Sequence, residues 1–218
     1  MFDFQRARTF MVDNQLRTSG VTDWRILARM GEIPREDFLP EDKRELAYLD
    51  SVQWLGPRGS GRFMAPPVIL AKLVQLADVT SDDRVLIVGA NTGYSTGVLA
   101  GLCAEVAGLE VDAALAESAR QALSKLGVGN AEIITGDVAA LGKREFDVVL
   151  VEGALESIPT ALLERLADGG RLVALVRNGG VSVATVYVKS AGVVASRQEF
   201  NAVLPVLFST RGGPEFVF

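Results

Sequence analysis

The pattern of apolar and polar positions changes rhythm twice along the chain, at about residue 76 and again at about residue 178. In residues 1–75 the apolar positions recur at helical spacing. "RARTFMVDNQLRTSG" reads as an amphipathic helix, with Phe10 and Leu16 on its apolar side and a stop near Gly20. "VTDWRILARMGEIPRED" reads as a second, with Thr22 or Asp23 as N-cap and an end before Pro34. "QWLGPRGSGRFMAPP" carries too much Gly and Pro for regular structure, and "VILAKLVQLA" reads as a helix opened by Pro66 and Pro67. In residues 76–177 short apolar runs alternate with helical stretches. The strands are "RVLIVGA", "EVAGLEV", "AEIITGD", "FDVVLVEGA" and "RLVALVR"; the helices are "GYSTGVLAGLC", "DAALAESARQALSKLG" and "IPTALLERLADGG". "FDVVLVEGA" lacks polar alternation, as a strand covered on both faces does. Strand–helix alternation of this kind predicts an α/β fold with a doubly wound, mostly parallel sheet. In residues 178–218, "GGVSVATVYVKSAGVVASRQEF" sets β-branched runs between glycines and reads as an appended antiparallel hairpin. All three stretches are expected to form one domain, 1–218.

Composition removes whole classes of chemistry. The chain of 218 residues has no histidine and one cysteine, Cys103. Ser–His–Asp and Cys–His catalysis and His-based zinc sites are therefore out of reach, and any general base is Asp, Glu, Lys, Tyr or a cofactor. A single cysteine forms no internal disulfide and is compatible with a reducing cytoplasm, the expected location. Cys103 is expected to fill space on a helix. The net charge is −5 and no basic cluster stands out, so no nucleic acid partner is expected. The start "MFDFQRARTF" lacks a signal peptide's apolar centre, and no run is long enough to span a bilayer.

The candidate site lies where "RVLIVGA" meets "NTGYSTG". Gly89 closes the strand, Ala90, Asn91 and Thr92 make the turn, and Gly93 opens the helix. Small residues here let a ligand approach the backbone. Glu110 ends the second strand, 21 positions after Gly89, near the spacing at which an acid meets ribose hydroxyls. Asp137 ends the third strand, where an acid can accept from an adenine amino group. Each residue alone has a plain reading as a turn or solvated strand end. Together they mark the carboxyl ends of successive strands, where open α/β sheets bind ligands. Asn91 at the middle glycine position of a dinucleotide fingerprint weighs against a pyrophosphate and towards S-adenosylmethionine.

The chain resembles the protein-L-isoaspartate (D-aspartate) O-methyltransferase family over nearly its whole length. The likeness rests on residues 11–40, on "LAYLDS" at 46–51, on "DDRVLIVGANTGYSTGVLA" and on "FDVVLVEGALESIPTALLERLADGGRLVALV". The N-terminal stretch makes it specific, because the sheet motifs are shared by many methyltransferases. The resemblance implies a class I, Rossmann-like methyltransferase fold with N-terminal helical elaboration and a C-terminal antiparallel hairpin. It implies S-adenosylmethionine as cofactor, held by Gly89, Ala90, Asn91, Gly93, Tyr94, Glu110, Val111, Asp137 and Val138. It implies a protein or peptide partner carrying an isoaspartyl residue, whose carboxylate is methylated. Two positions depart from the cofactor pattern: Ile87 stands for an acid on the first strand, and Asn91 for a glycine. The family's substrate loop, "G-Q-T-I-S-Q-P", is replaced by "RGSGRFMAPP". Aligned on Pro66, Met64 takes the Ser position and Arg62 the Thr position; counted from Tyr48, Ser60 takes the Thr position. Ser60, Arg62 and Met64 are therefore the candidate catalytic residues, with Arg62 able to grip a carboxylate. Two alternatives stay open: an inactive cofactor-binding relative acting as a sensor, and a nicotinamide-dependent oxidoreductase, disfavoured by the incomplete glycine fingerprint.

Overall fold

The computed structural model describes residues 2–57 and 62–208. Two helices open it, α1 (Phe4–Met11) and α2 (Trp24–Glu32). Asp3 caps α1 by accepting from the Arg6 N–H, and Asp23 caps α2 by accepting from the Arg25 N–H, which settles the choice between Thr22 and Asp23. Beyond Met11 the chain stays helical through a π turn and a 3₁₀ turn, then stops at Gly20 with φ of 88°.

The stretch expected to be irregular contains a small antiparallel ribbon, β1 (Gln53–Trp54) and β2 (Phe63–Met64). Its reason is packing. Phe63 and Met64 are both buried, and the Trp54 and Phe63 rings meet edge-on at 6.0 Å. Helix α3 (Pro67–Ala77) follows, with Pro67 in its first turn.

The main sheet holds β3 (Arg84–Val88), β4 (Glu105–Glu110), β5 (Ala131–Thr135), β6 (Phe146–Leu155), β7 (Leu166–Asn178), β8 (Val181–Ser190), β9 (Val193–Ala202) and β10 (Val206–Phe208). Its order is β5-β4-β3-β6-β7-β8-β9, with β10 beside the end of β6. Strands β3 to β7 run parallel, and β7, β8 and β9 pair antiparallel. The interleaved helices are α4 (Tyr94–Leu99), α5 (Ala113–Lys125) and α6 (Thr160–Leu163). Two apolar clusters cover the two faces. Val85 and Ile87 look into the one formed with the N-terminal helices, Leu86 and Val88 into the other. No helix of the described residues is long and apolar enough to cross a membrane.

Two readings need correction. The helix expected over "IPTALLERLADGG" is a single turn. Leu166 already pairs with Phe146, and the glycines that follow make an irregularity in β7 rather than a helix end. The parallel strand β10 had no local signal; it is fixed by Leu207, which packs against Gly89 and Gly153.

Candidate active site

The glycine turn folds as its composition requires. Gly89 and Gly93 have φ of 79° and 89°, and Asn91 has φ of 51°, one of the few side-chain-bearing residues in that region. Asn91 Nδ2 donates to the Gly89 carbonyl at 2.7 Å, so the side chain reinforces the conformation the backbone adopts. A Cβ at Gly93 would stand 3.0 Å from that of Ala119 on α5, and one at Gly89 would stand 2.8 Å from Leu207. The loop is thus pressed between α5 and β10. Thr92 Oγ1 donates to the Phe38 carbonyl at 2.7 Å, tying it to the N-terminal region.

The neighbouring strands bring the acids to this turn. Glu110, 1% exposed, accepts the Asn91 N–H at 2.8 Å on one oxygen and the Asp112 N–H at 2.9 Å on the other. The adjacent chain crossing puts Gly136 N–H on the Glu110 carbonyl at 2.9 Å, and Asp137 follows. Asp137 is exposed and caps a short 3₁₀ turn by accepting the Ala139 N–H at 2.9 Å. Val138 begins that turn, half-buried against the sheet cluster, and Val111 lies just outside β4, exposed. Gly89, Ala90, Asn91, Gly93, Glu110, Val111, Asp137 and Val138 therefore gather at the carboxyl edge of three adjacent parallel strands. Tyr94 faces another way. Its ring is buried between Phe38, edge-on at 5.4 Å, and the Arg35 guanidinium, 4.6 Å from the ring centre.

The substrate segment meets this edge. Arg62 Nε lies 3.3 Å from Glu110 Oε1, both side chains buried. Met64 is buried in the main apolar cluster. Ser60 lies outside the described residues.

Three polar side chains of this region were missed by sequence reasoning: Arg35, Ser95 and Glu152. Glu152 sits on β6, fully enclosed, and accepts the Ser95 hydroxyl at 2.5 Å. Burial pushes its carboxyl up to about 7, against the opposing pull of Ser95, Arg35 and the Ala65 N–H. The signal was present: one acid inside "FDVVLVEGA", a run otherwise apolar around it. Ile87, where an acid would follow from the resemblance, is fully buried among apolar neighbours; the buried carboxylates beside β3 come from its two flanking strands, Glu110 from β4 and Glu152 from β6. Cys103 is the buried filler expected, but it sits in the bend between α4 and β4 rather than on a helix; it donates to the Leu99 carbonyl at 3.1 Å, and burial pushes its thiol up to about 12.

A mostly parallel sheet in this order, with a tight glycine turn after β3, an acid ending β4 and another just past β5, defines the Rossmann-like fold of class I S-adenosylmethionine-dependent methyltransferases. The model of the family described as Protein-L-isoaspartate(D-aspartate) O-methyltransferase (PCMT) matches residues 7–210. The chain belongs to that family. It is 37% identical to protein-L-isoaspartate O-methyltransferase 2 of Anaeromyxobacter sp. (strain Fw109-5), over 96% of this chain and 85% of that one. It is 38% identical to protein-L-isoaspartate O-methyltransferase of Koribacter versatilis (strain Ellin345), over 88% of this chain and 85% of that one. Among solved structures it resembles one from Plasmodium falciparum assigned to protein-L-isoaspartate O-methyltransferase, in complex with S-adenosyl-L-homocysteine. That likeness has a TM-score of 0.77 at 19% identity and covers 95% of this chain and 99% of the other.

Proposed function

We propose that this protein transfers the methyl group of S-adenosylmethionine to the carboxylate of an isoaspartyl residue in a protein or peptide. The observation that carries the reading is the family match over residues 7–210, laid on a site that fits the cofactor. The fit is chemical. The edge presents acceptors, namely Glu110, Asp137 and the buried Asn91 Oδ1, which accepts no hydrogen bond from the described residues. Acceptors suit a ligand rich in hydroxyl and amino donors and oppose a pyrophosphate. Glu110 is the group for the ribose hydroxyls and Asp137 for the adenine amino group. Gly89 and Gly93 let the turn pack against Leu207 and Ala119, where a Cβ would clash.

When bound, the cofactor supplies a methyl group already activated by its sulfonium. The carboxylate acceptor is ionised at neutral pH and needs no base, which suits a chain without histidine. What remains for the protein is to align acceptor and methyl group and to exclude water. Buried Phe63 and Met64 serve the exclusion. Arg62 supplies a cation at the seam between acceptor and cofactor. The bound cofactor would supply that methyl group to the carboxylate, leaving a methyl ester and S-adenosylhomocysteine.

Calorimetry with S-adenosylhomocysteine, followed by labelled methyl transfer to an isoaspartyl peptide, tests the reading. Binding together with base-labile label on that peptide, and none on its aspartyl counterpart, is the expected result. Binding without labelled ester on any peptide or lysate protein would overturn the enzymatic reading in favour of a cofactor-binding sensor.

A further inference from the structure

Glu152 is used by nothing in the reaction so far, yet it joins the two halves of the site. Its carboxylate accepts from the Ser95 hydroxyl in the first turn of α4, directly after the glycine turn, and from the Ala65 backbone N–H at the end of the acceptor segment. The other polar group of Ala65, its carbonyl, accepts from Arg35 Nη2. Arg35 is itself wholly buried, with Nε donating to the Ala47 carbonyl at 2.7 Å and its plane over Tyr94. Ala65 is thus held at both of its backbone polar groups by two buried, oppositely charged side chains. Its position makes the hold consequential. Pro66 and Pro67 follow and have no N–H, so the Ala65 N–H is the last backbone donor before α3. The upstream end of the segment is fixed separately, by the Leu55 N–H on the Arg62 carbonyl at 3.0 Å.

We propose that Glu152 is a positioning residue for methyl transfer, fastening residues 62–65, which carry Arg62 and Met64, to the helix that follows the cofactor turn. The inference rests on the methyltransferase reading given above and deepens it. The anion accepts from Ser95 and Ala65 through charge-assisted hydrogen bonds, about twice as strong as those to a neutral carboxyl, whose protonated oxygen becomes a donor. The charged and titratable groups that act on it are Arg35 from the turn after α2, Tyr94 from α4 and Glu110 from β4, the first favouring and the last opposing the anion. Ionisation therefore tightens the fastening and protonation loosens it, and burial brings that change into the working pH range. With no histidine in the chain, few other groups titrate there.

The test compares wild type with Glu152→Gln and Ser95→Ala between pH 5.5 and 8.5. It reads kcat/KM for an isoaspartyl peptide, S-adenosylhomocysteine affinity, and the hydrogen-exchange protection factor of the Ala65 amide. For wild type, kcat/KM and Ala65 protection are expected to rise together about tenfold or more with a midpoint near 7. In Glu152→Gln both are expected to stay flat at or below the acid-limb value, with cofactor affinity changed less than about threefold. Ser95→Ala is expected to move the midpoint upward, because the anion loses a donor. A pH step that survives in Glu152→Gln, or Ala65 protection independent of pH in the wild type, overturns the proposal. The exchange measurement needs no turnover. A wild type that transfers no methyl group yet shows the Ala65 step rejects the methyltransferase reading and leaves the fastening in place.

Discussion

At the residue scale, the two acids proposed to face the cofactor differ in what else they hold. Glu110 is buried and fixes the turn through the Asn91 and Asp112 N–H groups, whereas Asp137 is exposed and caps one turn. Both Glu110→Ala and Asp137→Ala are expected to weaken S-adenosylhomocysteine binding by about 1–3 kcal/mol. Glu110→Ala should also lower the denaturation midpoint of the free protein more than Asp137→Ala does, since it strands the buried Asn91 N–H and the half-buried Asp112 N–H. Calorimetry and urea titration on the same samples separate these outcomes; equal stability loss in both variants would refute the division. Asn91→Gly should be tolerated and Asn91→Val should not, because a β-branched residue resists φ of 51°. Glu152 sets a pH dependence with a definite sign. Its carboxyl titrates near 4.5 in the unfolded chain and near 7 when folded. Between these values the unfolded chain has released a proton that the folded protein keeps, so stability falls as pH rises and levels off above about 8. The full drop is about 3 kcal/mol, of which about 2 falls between pH 5.5 and 8, and the Glu152→Gln variant should lack it. Urea denaturation at pH 5.5 and 8 measures both.

At the element scale, the site depends on a strand that the helix and sheet rhythms do not announce. β10 runs beside the end of β6, with the Ala154 N–H on the Pro205 carbonyl at 3.0 Å, and sets Leu207 against Gly89 and Gly153. A methyl group at Gly89 would meet Leu207 and also sit at a φ of 79°. Gly89→Ala is therefore expected to reduce both stability and cofactor affinity. Leu207→Ala should cost about 2–4 kcal/mol through the space it opens. Combined, the two should cost less than their sum by about 1 kcal/mol, because truncation removes the clash but not the backbone strain. Additive losses in a double-mutant cycle would place the Gly89 requirement in the backbone alone.

At the scale of the whole molecule, the N-terminal region is welded to the sheet rather than appended to it. Arg8 donates to Tyr48 at 2.8 Å and to Glu36 at 2.9 Å, and the Tyr48 hydroxyl donates to the other Glu36 oxygen. Burial and the Glu36 carboxylate push the Tyr48 hydroxyl above its usual range, keeping it a donor. Phe38, next to this network, then receives Thr92 of the cofactor turn. Tyr48→Phe is expected to cost about 1–3 kcal/mol, since Arg8 and Glu36 each lose a partner in a buried place. Tryptophan fluorescence and far-ultraviolet circular dichroism should still unfold in one shared transition; separate transitions would contradict the welding.

Local pattern determined most of the frame. The apolar runs at Arg84–Val88 and Glu105–Glu110 are strands because β-branched and small residues bury on both faces, and Gly20, Asp23, Asp112 and Pro67 end or begin helices through their own backbone chemistry. The glycine turn was legible for the same reason: turns are written in the residues that make them, and Gly89, Asn91 and Gly93 all take positive φ. Tertiary structure alone decided the rest. The single-turn α6 and the parallel β10 exist because Leu166 and Leu207 find partners far along the chain, which outweigh local helix preference. Arg62 meeting Glu110, and Glu152 meeting Ser95, Arg35 and Ala65, join residues separated by tens of positions. A spacing rule reads neighbours on one element; a buried charge finds its partners across elements, and only the folded chain brings those together.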